Sequence, residues 1–326
     1  MNILVTGATG FIGSHLVERL SREGHDITCL AKETMHARVL ESLGCSVILA
    51  DLTNGISWER LLGNVDVVYH LAGVTRARHS REYYEGNVVG TSRLVEGCLR
   101  YASRLRRLVF VSSLTASGPS PSGLPISEDD PYHPVSDYGR SKMLAELEVT
   151  NAGGRLPWTI VRPAAVYGPR ERDMYDYIRI IKRGVEPLIG LKDKLLSLIY
   201  VDDLVEGIIL AAESPQAVGR TYFLGSERPY SYHEIGVAIA RVLGCHPTCL
   251  RLPHWLVYTV GACAVAAAAI TRRQVFFNVQ KARESVQRAW VCSVERARHE
   301  LGFHQRVGLE EGMTRACEWY RRYGWL

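Results

Sequence analysis

Tyr138 and Lys142 stand four residues apart in the run Tyr138-Gly139-Arg140-Ser141-Lys142. In a helix, residues at that spacing share a face, so the lysine ammonium would lie beside the phenol. A phenol with an ordinary pKa near 10 is too weakly acidic to act as a base at neutral pH. A nearby cation favours phenolate. One pKa unit is worth about 1.4 kcal/mol, so a fall of about three units needs roughly 4 kcal/mol of local field. A tyrosine so placed can pass a proton to or from a substrate alcohol.

A second signal says what would accompany the proton. Thr6-Gly7-Ala8-Thr9-Gly10-Phe11-Ile12-Gly13 follows an apolar run and opens a helical pattern. Gly7 permits a tight turn, Gly10 lets backbone approach a pyrophosphate, and Gly13 lets the helix pack closely on the strand. The helix N-terminus adds free N–H groups and a partial positive charge. A nicotinamide dinucleotide bound there would exchange hydride while Tyr138 moves the proton, and its positive ring would further favour phenolate.

The elements needed to hold these groups are legible. Short apolar runs alternate with helical patterns, the signature of a parallel sheet covered on both faces. Strands are expected at Asn2–Thr6, Asp26–Leu30, Ser46–Leu49, Val65–Leu71, Leu108–Ser112 and Trp158–Arg162, with helices from Phe11 to Arg22, about Glu85 to Tyr101, and Tyr138 to about Thr150. The fold class is therefore α/β, a Rossmann-type doubly wound parallel sheet. After Pro169 the rhythm loosens. Residues 1–170 are expected to form the dinucleotide-binding domain and 171–326 a smaller substrate lobe, with segments near 199–212 and 221–224 returning to the sheet.

Composition excludes other classes. The chain has 326 residues, 47% hydrophobic and 22% charged, so it is neither disordered nor fibrous and can bury a large core. A net charge of +5 is too thin over this length to indicate nucleic acid. The basic clusters Arg104, Arg106, Arg107 and Arg321, Arg322 read as solvated faces. Eight scattered cysteines, only Cys245 and Cys249 close together, read as reduced core residues of a cytoplasmic protein rather than a metal site. The N-terminus runs straight into a strand, with no secretory signal expected. Trp255–Ile270 carries no charge and precedes Arg272-Arg273. It is too short for a membrane span; a buried or interface helix, a wall of a substrate tunnel, and a membrane-surface contact are the readings it allows.

The glycine spacing G-x-x-G-x-x-G, with Tyr138-x-x-x-Lys142, resembles the extended short-chain dehydrogenase/reductase superfamily, the NAD-dependent epimerase/dehydratase family. Asp51-Leu52, His70-Leu71-Ala72-Gly73, Asn87-Val-Val-Gly90-Thr91, Tyr200-Val-Asp-Asp203, Glu300-Leu-Gly-Phe303 and Trp319-Tyr320 extend the likeness over nearly the whole chain. The resemblance implies that Ser113 polarises the substrate oxygen, with Ser112 and Thr115 as neighbours that could take the role. It implies that Lys142 also binds the nicotinamide ribose, that Asp51 meets the adenine amino group, and that the backbone at Leu71, Ala72 and Gly73 passes under the dinucleotide. Pro163 and Val166, after Arg162, would lie against the nicotinamide. Asn87 resembles the family's helix-bending asparagine, with a structural or a catalytic role. Tyr167 is a pocket wall or plain packing. The helices from about Glu85 and from Tyr138 resemble a dimer-forming pair, so a homodimer is expected.

NAD and NADP both remain open. An acid that would grip the ribose 2′-hydroxyl is absent before Glu33, and Ala31 stands at that position; Lys32 could meet a 2′-phosphate, which leans to NADP, or simply be solvated. The substrate is open too. Ser113-Leu114-Thr115-Ala116-Ser117-Gly118 has Ser117 where nucleotide-sugar enzymes commonly carry Tyr, and Ala164-Ala165 where they often carry Asn. The Leu114-Thr115 pair argues against a sugar dehydratase. The uncharged segment resembles hydroxysteroid-dehydrogenase-like and dihydroflavonol-reductase-like members and suits an apolar ketone or alcohol. Arg76, Arg170, Arg172 and Lys182 could instead clamp a diphosphate. An oxidoreductase of a secondary alcohol or ketone is the first expectation, a nucleotide-sugar epimerase the second, and a silent dinucleotide sensor the third.

Overall fold

Apolar runs that alternate with helices can satisfy their backbone groups only by pairing with one another. In the computed structural model, which describes residues 1–32, 37–271 and 279–326, they do so as one parallel sheet. Strands β1 (Asn2–Thr6), β2 (Asp26–Ala31), β3 (Ser46–Leu49), β4 (Val67–His70), β5 (Arg107–Val111), β6 (Trp158–Pro163) and β7 (Arg220–Leu224) stand in the order β7-β6-β5-β4-β1-β2-β3. Every pairing in it is parallel. The fold class is the doubly wound α/β sheet expected. Chain direction across the sheet reverses between β1 and β4, whose Thr6 and His70 are in register. Such a switch point opens a crevice at the carboxyl ends of the strands.

Both faces of the sheet are covered. Side chains alternate along β1, so Ile3 and Val5 pack with Leu16, Val17 and Leu20 of α1 (Phe11–Arg22). Leu4 points the other way, into a cluster with Leu94 and Val95 of α2 (Gly90–Tyr101) and Ala145 and Val149 of α3 (Asp137–Thr150). Helix α4 (Val201–Glu213) joins the α1 face through Leu204, Val205 and Ile208. The later chain also supplies β7, where Thr221 pairs with Ile160. Of the later helices, α5 (Tyr232–Leu243) and α7 (Val279–Ser285) line the crevice, α6 (His254–Thr271) packs on α7, and α8 (Leu309–Arg322) packs on α5.

Three details depart from expectation. The helix read as continuous from Glu85 is π-helical over Tyr84–Val89 before α2 begins; the widened turn accommodates the buried Asn87 side chain, which bonds outside its own helix. Arg107 is not a solvated cation. It is 4% exposed, and its guanidinium donates to Thr159 Oγ1 at 2.7 Å and to the carbonyls of Ala211 and Ser214 at 3.3 and 2.9 Å, closing the end of α4. Nor are the described side chains of the uncharged segment mostly buried: Trp255, Tyr258 and Val260 lie at the surface.

One buried ion pair ties α3 to the sheet. Arg162, at the end of β6, is 3% exposed and Glu146 of α3 is 0% exposed. Arg162 Nη2 donates to Glu146 Oε2 at 2.7 Å, and Nε to Oε1 at 3.0 Å. The Tyr132 hydroxyl completes the group with a bond to Glu146 at 2.7 Å. Removing one partner of a buried pair strands the other charge and costs about 3–5 kcal/mol. Glu146→Ala is therefore expected to lower the unfolding free energy by about that amount in urea titrations. A midpoint within error of the unaltered protein would show that the pair does not hold α3 in place.

Candidate active site

The glycine turn is built by backbone contact. Gly7 has φ +74°, and a Cβ there would meet the Ala72 nitrogen at 2.5 Å. A Cβ on Gly13 would stand 2.1 Å from the Gly7 oxygen. Gly10 differs: its nearest obstacle would be that same oxygen at 3.2 Å. It is the N-cap of α1 and brings no side chain to cap the free N–H groups, which face a cavity of about 1140 Å³. Gly7, Thr9, Gly10, Phe11, Ile12 and Gly13 all line that cavity. A side-chain-free helix start opening into a cleft is chemically suited to a pyrophosphate, so the residues present fit a dinucleotide.

The other end of the cavity is lined by Leu71, Gly73, Ser113, Tyr138, Lys142, Pro163 and Val166. Tyr138 lies in the first turn of α3, whose N-cap Ser136 accepts a bond from the Gly139 N–H at 3.1 Å. Gly139 would drive a Cβ to 2.3 Å from the Thr115 carbonyl oxygen, so its absence lets α3 press onto the Ser113–Thr115 segment. Ser113 Oγ accepts from both Thr115 N–H at 3.1 Å and Thr115 Oγ1 at 2.8 Å, and it lies near enough to the Tyr138 phenol to favour the phenolate. Ser112, one residue back, carries a buried hydroxyl with no partner among the described residues.

Lys142 is 4% exposed. Its Nζ donates to the Val111 carbonyl at 2.9 Å and stands 4.2 Å from the Phe110 ring centre. Burial pulls its pKa from 10.5 down to about 7, against the opposing charge of Glu146. Tyr138 departs from the sequence expectation. Burial raises its pKa, the Glu284 carboxylate raises it further, and the Ser113 hydroxyl counteracts only in part. The ammonium is directed to the Val111 carbonyl, and the phenol keeps its proton at neutral pH.

Behind this pair lies a directed hydrogen-bond chain. Thr91 Oγ1 donates to the Asn87 carbonyl at 2.6 Å, so it accepts from His70 Nε2 at 2.9 Å; His70 Nδ1 then accepts from Thr6 Oγ1 at 2.7 Å. Burial, and secondly Lys142, hold His70 neutral with a pKa of about 3. Asn87 Oδ1 accepts from Val74 N–H at 2.6 Å, and its Nδ2 donates to Ser141 Oγ at 2.8 Å. Asn87 thus clamps the loop after β4 to α3 without reaching the cavity lining. Leu52 is packed in the core against Gly90, and Ala72 is packed on Gly7. Lys32 and Asp51 pair with each other at 2.9 Å beyond β2 and β3. Although burial opposes it, Lys32 and Thr53 hold the Asp51 pKa at about 2. Glu33 lies outside the described residues.

Sequence reasoning missed Gln280, Lys281 and Glu284 of α7, which line the cavity opposite Tyr138. Gln280 Nε2 donates to Asp137 Oδ2 at 2.9 Å, and Lys281 pairs with Glu284 at 3.3 Å. Only the i,i+3 charge spacing hinted at them.

A model of the NAD dependent epimerase/dehydratase family matches residues 3–225. The chain belongs to this family. It is 29% identical to a ceramide reductase of Caulobacter vibrioides, over 99% of this chain and 96% of the relative. It is 29% identical to a 2-alkyl-3-oxoalkanoate reductase of Shewanella oneidensis, over 95% and 84%. The solved structure of MoeE5 with UDP-glucose and NAD superposes with a TM-score of 0.78 at 30% identity, covering 99% of both chains. The protein is an NAD-dependent enzyme of the extended short-chain dehydrogenase type, an oxidoreductase or epimerase.

Lys142 makes the site a burden on stability below neutral pH. Its folded pKa of about 7 lies under the ordinary 10.5. Between those values the unfolded chain binds more protons, so stability rises with pH there, and the full penalty of burying the ammonium stands below about pH 7. Lys142→Met should therefore resist urea better than the unaltered protein near pH 6, with the advantage shrinking towards about pH 10. An advantage that does not change with pH would mean that Lys142 does not titrate in this window.

Proposed function

We propose that the enzyme reduces a ketone on a largely apolar substrate to the secondary alcohol. NADH, when bound, supplies the hydride. Tyr138 gives its phenolic proton to the carbonyl oxygen as the new C–H bond forms, Ser113 donates a hydrogen bond to that oxygen, and Lys142 holds the ribose. A phenol that keeps its proton at neutral pH is ready to act as the acid of a reduction.

The observation that carries the substrate class is the state of the cavity's charges. Arg170 pairs with Glu18 at 2.5 Å, Lys281 with Glu284 at 3.3 Å, and Arg76 with Asp173. Lys182 is absent from the described lining, and Arg172 stands 5.9 Å from the Trp325 ring centre. Tyr83, Met174, Tyr177, Leu196, Ile235 and Trp290 provide apolar wall between them. Cations engaged in this way favour an apolar ligand over a diphosphate. The two reductase relatives named above support the same class. A nucleotide-sugar epimerase is the second reading, favoured by the likeness to MoeE5 and by Arg172, which has no ion pair among the described residues.

We propose NAD rather than NADP. Lys32, the cation that would meet a 2′-phosphate, is engaged with Asp51 at 2.9 Å; its position after β2 remains the argument for NADP. We further propose a cytoplasmic homodimer joined through α2 and α3, where Leu147 is 40% exposed; sedimentation giving only monomer at micromolar concentration would refute the dimer.

The decisive assay offers NADH with long-chain 3-oxo compounds, and NAD with UDP-glucose. Ketone reduction is expected. Tyr138→Phe should cut turnover by about 10²–10⁴-fold while the affinity for NAD, tighter than for NADP, stays nearly constant. Turnover of UDP-glucose alone would replace the reductase reading with the epimerase one, and full activity in Tyr138→Phe would remove Tyr138 from the chemistry.

A further inference from the structure

From Ile235 to Arg283, 49 residues pass without one Asp or Glu, while six are Lys or Arg. Within this stretch α6 carries no charged side chain. A helix that is apolar all round is ordinarily enclosed by protein. The described part of α6 is not. Trp255 is 67% exposed and Val260 50%, Tyr258 and Cys263 are also at the surface, and between His254 and Cys263 only Val257 and Gly261 are buried. The neighbouring turn is apolar as well, with Leu191 85% exposed and Leu250 50%. These residues form one projection. The Gly190 N–H donates to the Leu252 carbonyl at 2.8 Å, Arg251 reaches the Leu191 carbonyl at 2.9 Å, and the His254 ring lies against Gly190.

We infer that this projection docks on an anionic membrane surface. An exposed helix without a polar face is not the one-sided ligand of a protein groove. Trp255 and Tyr258 carry amphipathic rings of the kind that settle at headgroup depth. The acid-free stretch is cationic before and after the helix: Arg241 and Arg251 precede it, paired at the surface with Glu310 and Asp193, and Arg272 and Arg273 follow it in the sequence, while Lys192 stands exposed beside Leu191. That charge complements anionic lipid and repels a second copy of the same surface. No described helix is long and apolar enough to cross a membrane, so the contact is one of adsorption. Helix α7, which packs beside α6 and lines the cavity, connects the docking surface with the cavity that would receive an apolar substrate. The inference stands apart from the reductase reading, because its readout is adsorption and not turnover.

Co-sedimentation of the full chain with vesicles tests it. Phosphatidylcholine vesicles are compared with vesicles containing about one-third phosphatidylglycerol, at about 0.05 M and about 0.5 M salt, which shortens the screening length severalfold. The bound fraction should rise at least about fivefold with phosphatidylglycerol and fall at high salt. Trp255→Ser with Val260→Ser should lose most of the binding while its affinity for NAD, read by fluorescence, is unchanged. Equal binding to both vesicle types, undiminished binding by the double variant, or no vesicle binding together with a dimer abolished by the double variant would overturn the inference; the last result would assign α6 to a second copy.

Discussion

A lysine can sit 4% exposed at the floor of this cavity only because its helix is anchored by stronger charges behind it. Tyr138, Lys142 and Glu146 follow one another at intervals of four along α3, on a single face. Glu146 is held by Arg162 and Tyr132 with every contact at hydrogen-bond distance. Its negative charge favours the Lys142 ammonium against burial. The row runs from the sheet to the cavity, so the structural ion pair at one end and the proton-bearing phenol at the other belong to one rigid stripe. The same helix is clamped from the side by Asn87 through Ser141 and from the front by the contact of Gly139 with Thr115. Position is thus set from three directions, each through a buried polar bond or a backbone contact that leaves no room for slack.

The parallel sheet was legible because its central strands are buried on both faces and therefore read as unbroken apolar runs. The glycine turn was legible because Gly7 and Gly13 answer to backbone contacts under 3 Å, a demand that no other residue meets. Asn87 was visible as a residue but not as a clamp, since its partners Val74 and Ser141 lie 13 and 54 positions away. The misreading of Arg107 has the same origin. Adjacent arginines look like a solvated run, yet the strand's pleat turns this one inward, where carbonyls more than a hundred positions on receive it. Helix α7 was illegible for a related reason: its Lys281 and Glu284 acquire meaning only once the later chain is folded back to the cavity that Tyr138 also lines.

The balance at Tyr138 could not be read from spacing at all. Four residues of helix bring an ammonium alongside a phenol, and a field of the right sign follows. Spacing says nothing of the desolvation that both groups undergo together. Burial disfavours the phenolate and the ammonium alike, so each group is driven towards its neutral form. A neutral phenol and a lysine titrating near neutrality are better suited to giving a proton than to taking one. The reduction proposed above therefore rests on how far burial shifts these two groups as well as on which residues they are.

The same reasoning separates substrates that share one hydride step. Beyond Arg172, a diphosphate entering the cavity would have to draw Arg76, Arg170 or Lys281 away from Asp173, Glu18 or Glu284. Each exchange would leave a carboxylate without its partner in a partly desolvated place, and the unpaired charge opposes what the new contact gains. An apolar chain makes no such demand. It displaces water from Met174, Leu196, Ile235 and Trp290 and leaves the ion pairs intact at the rim. On the reductase reading proposed above, charges already neutralised within the protein act as a filter: they admit a ligand that needs nothing from them and hold back one that must compete for them.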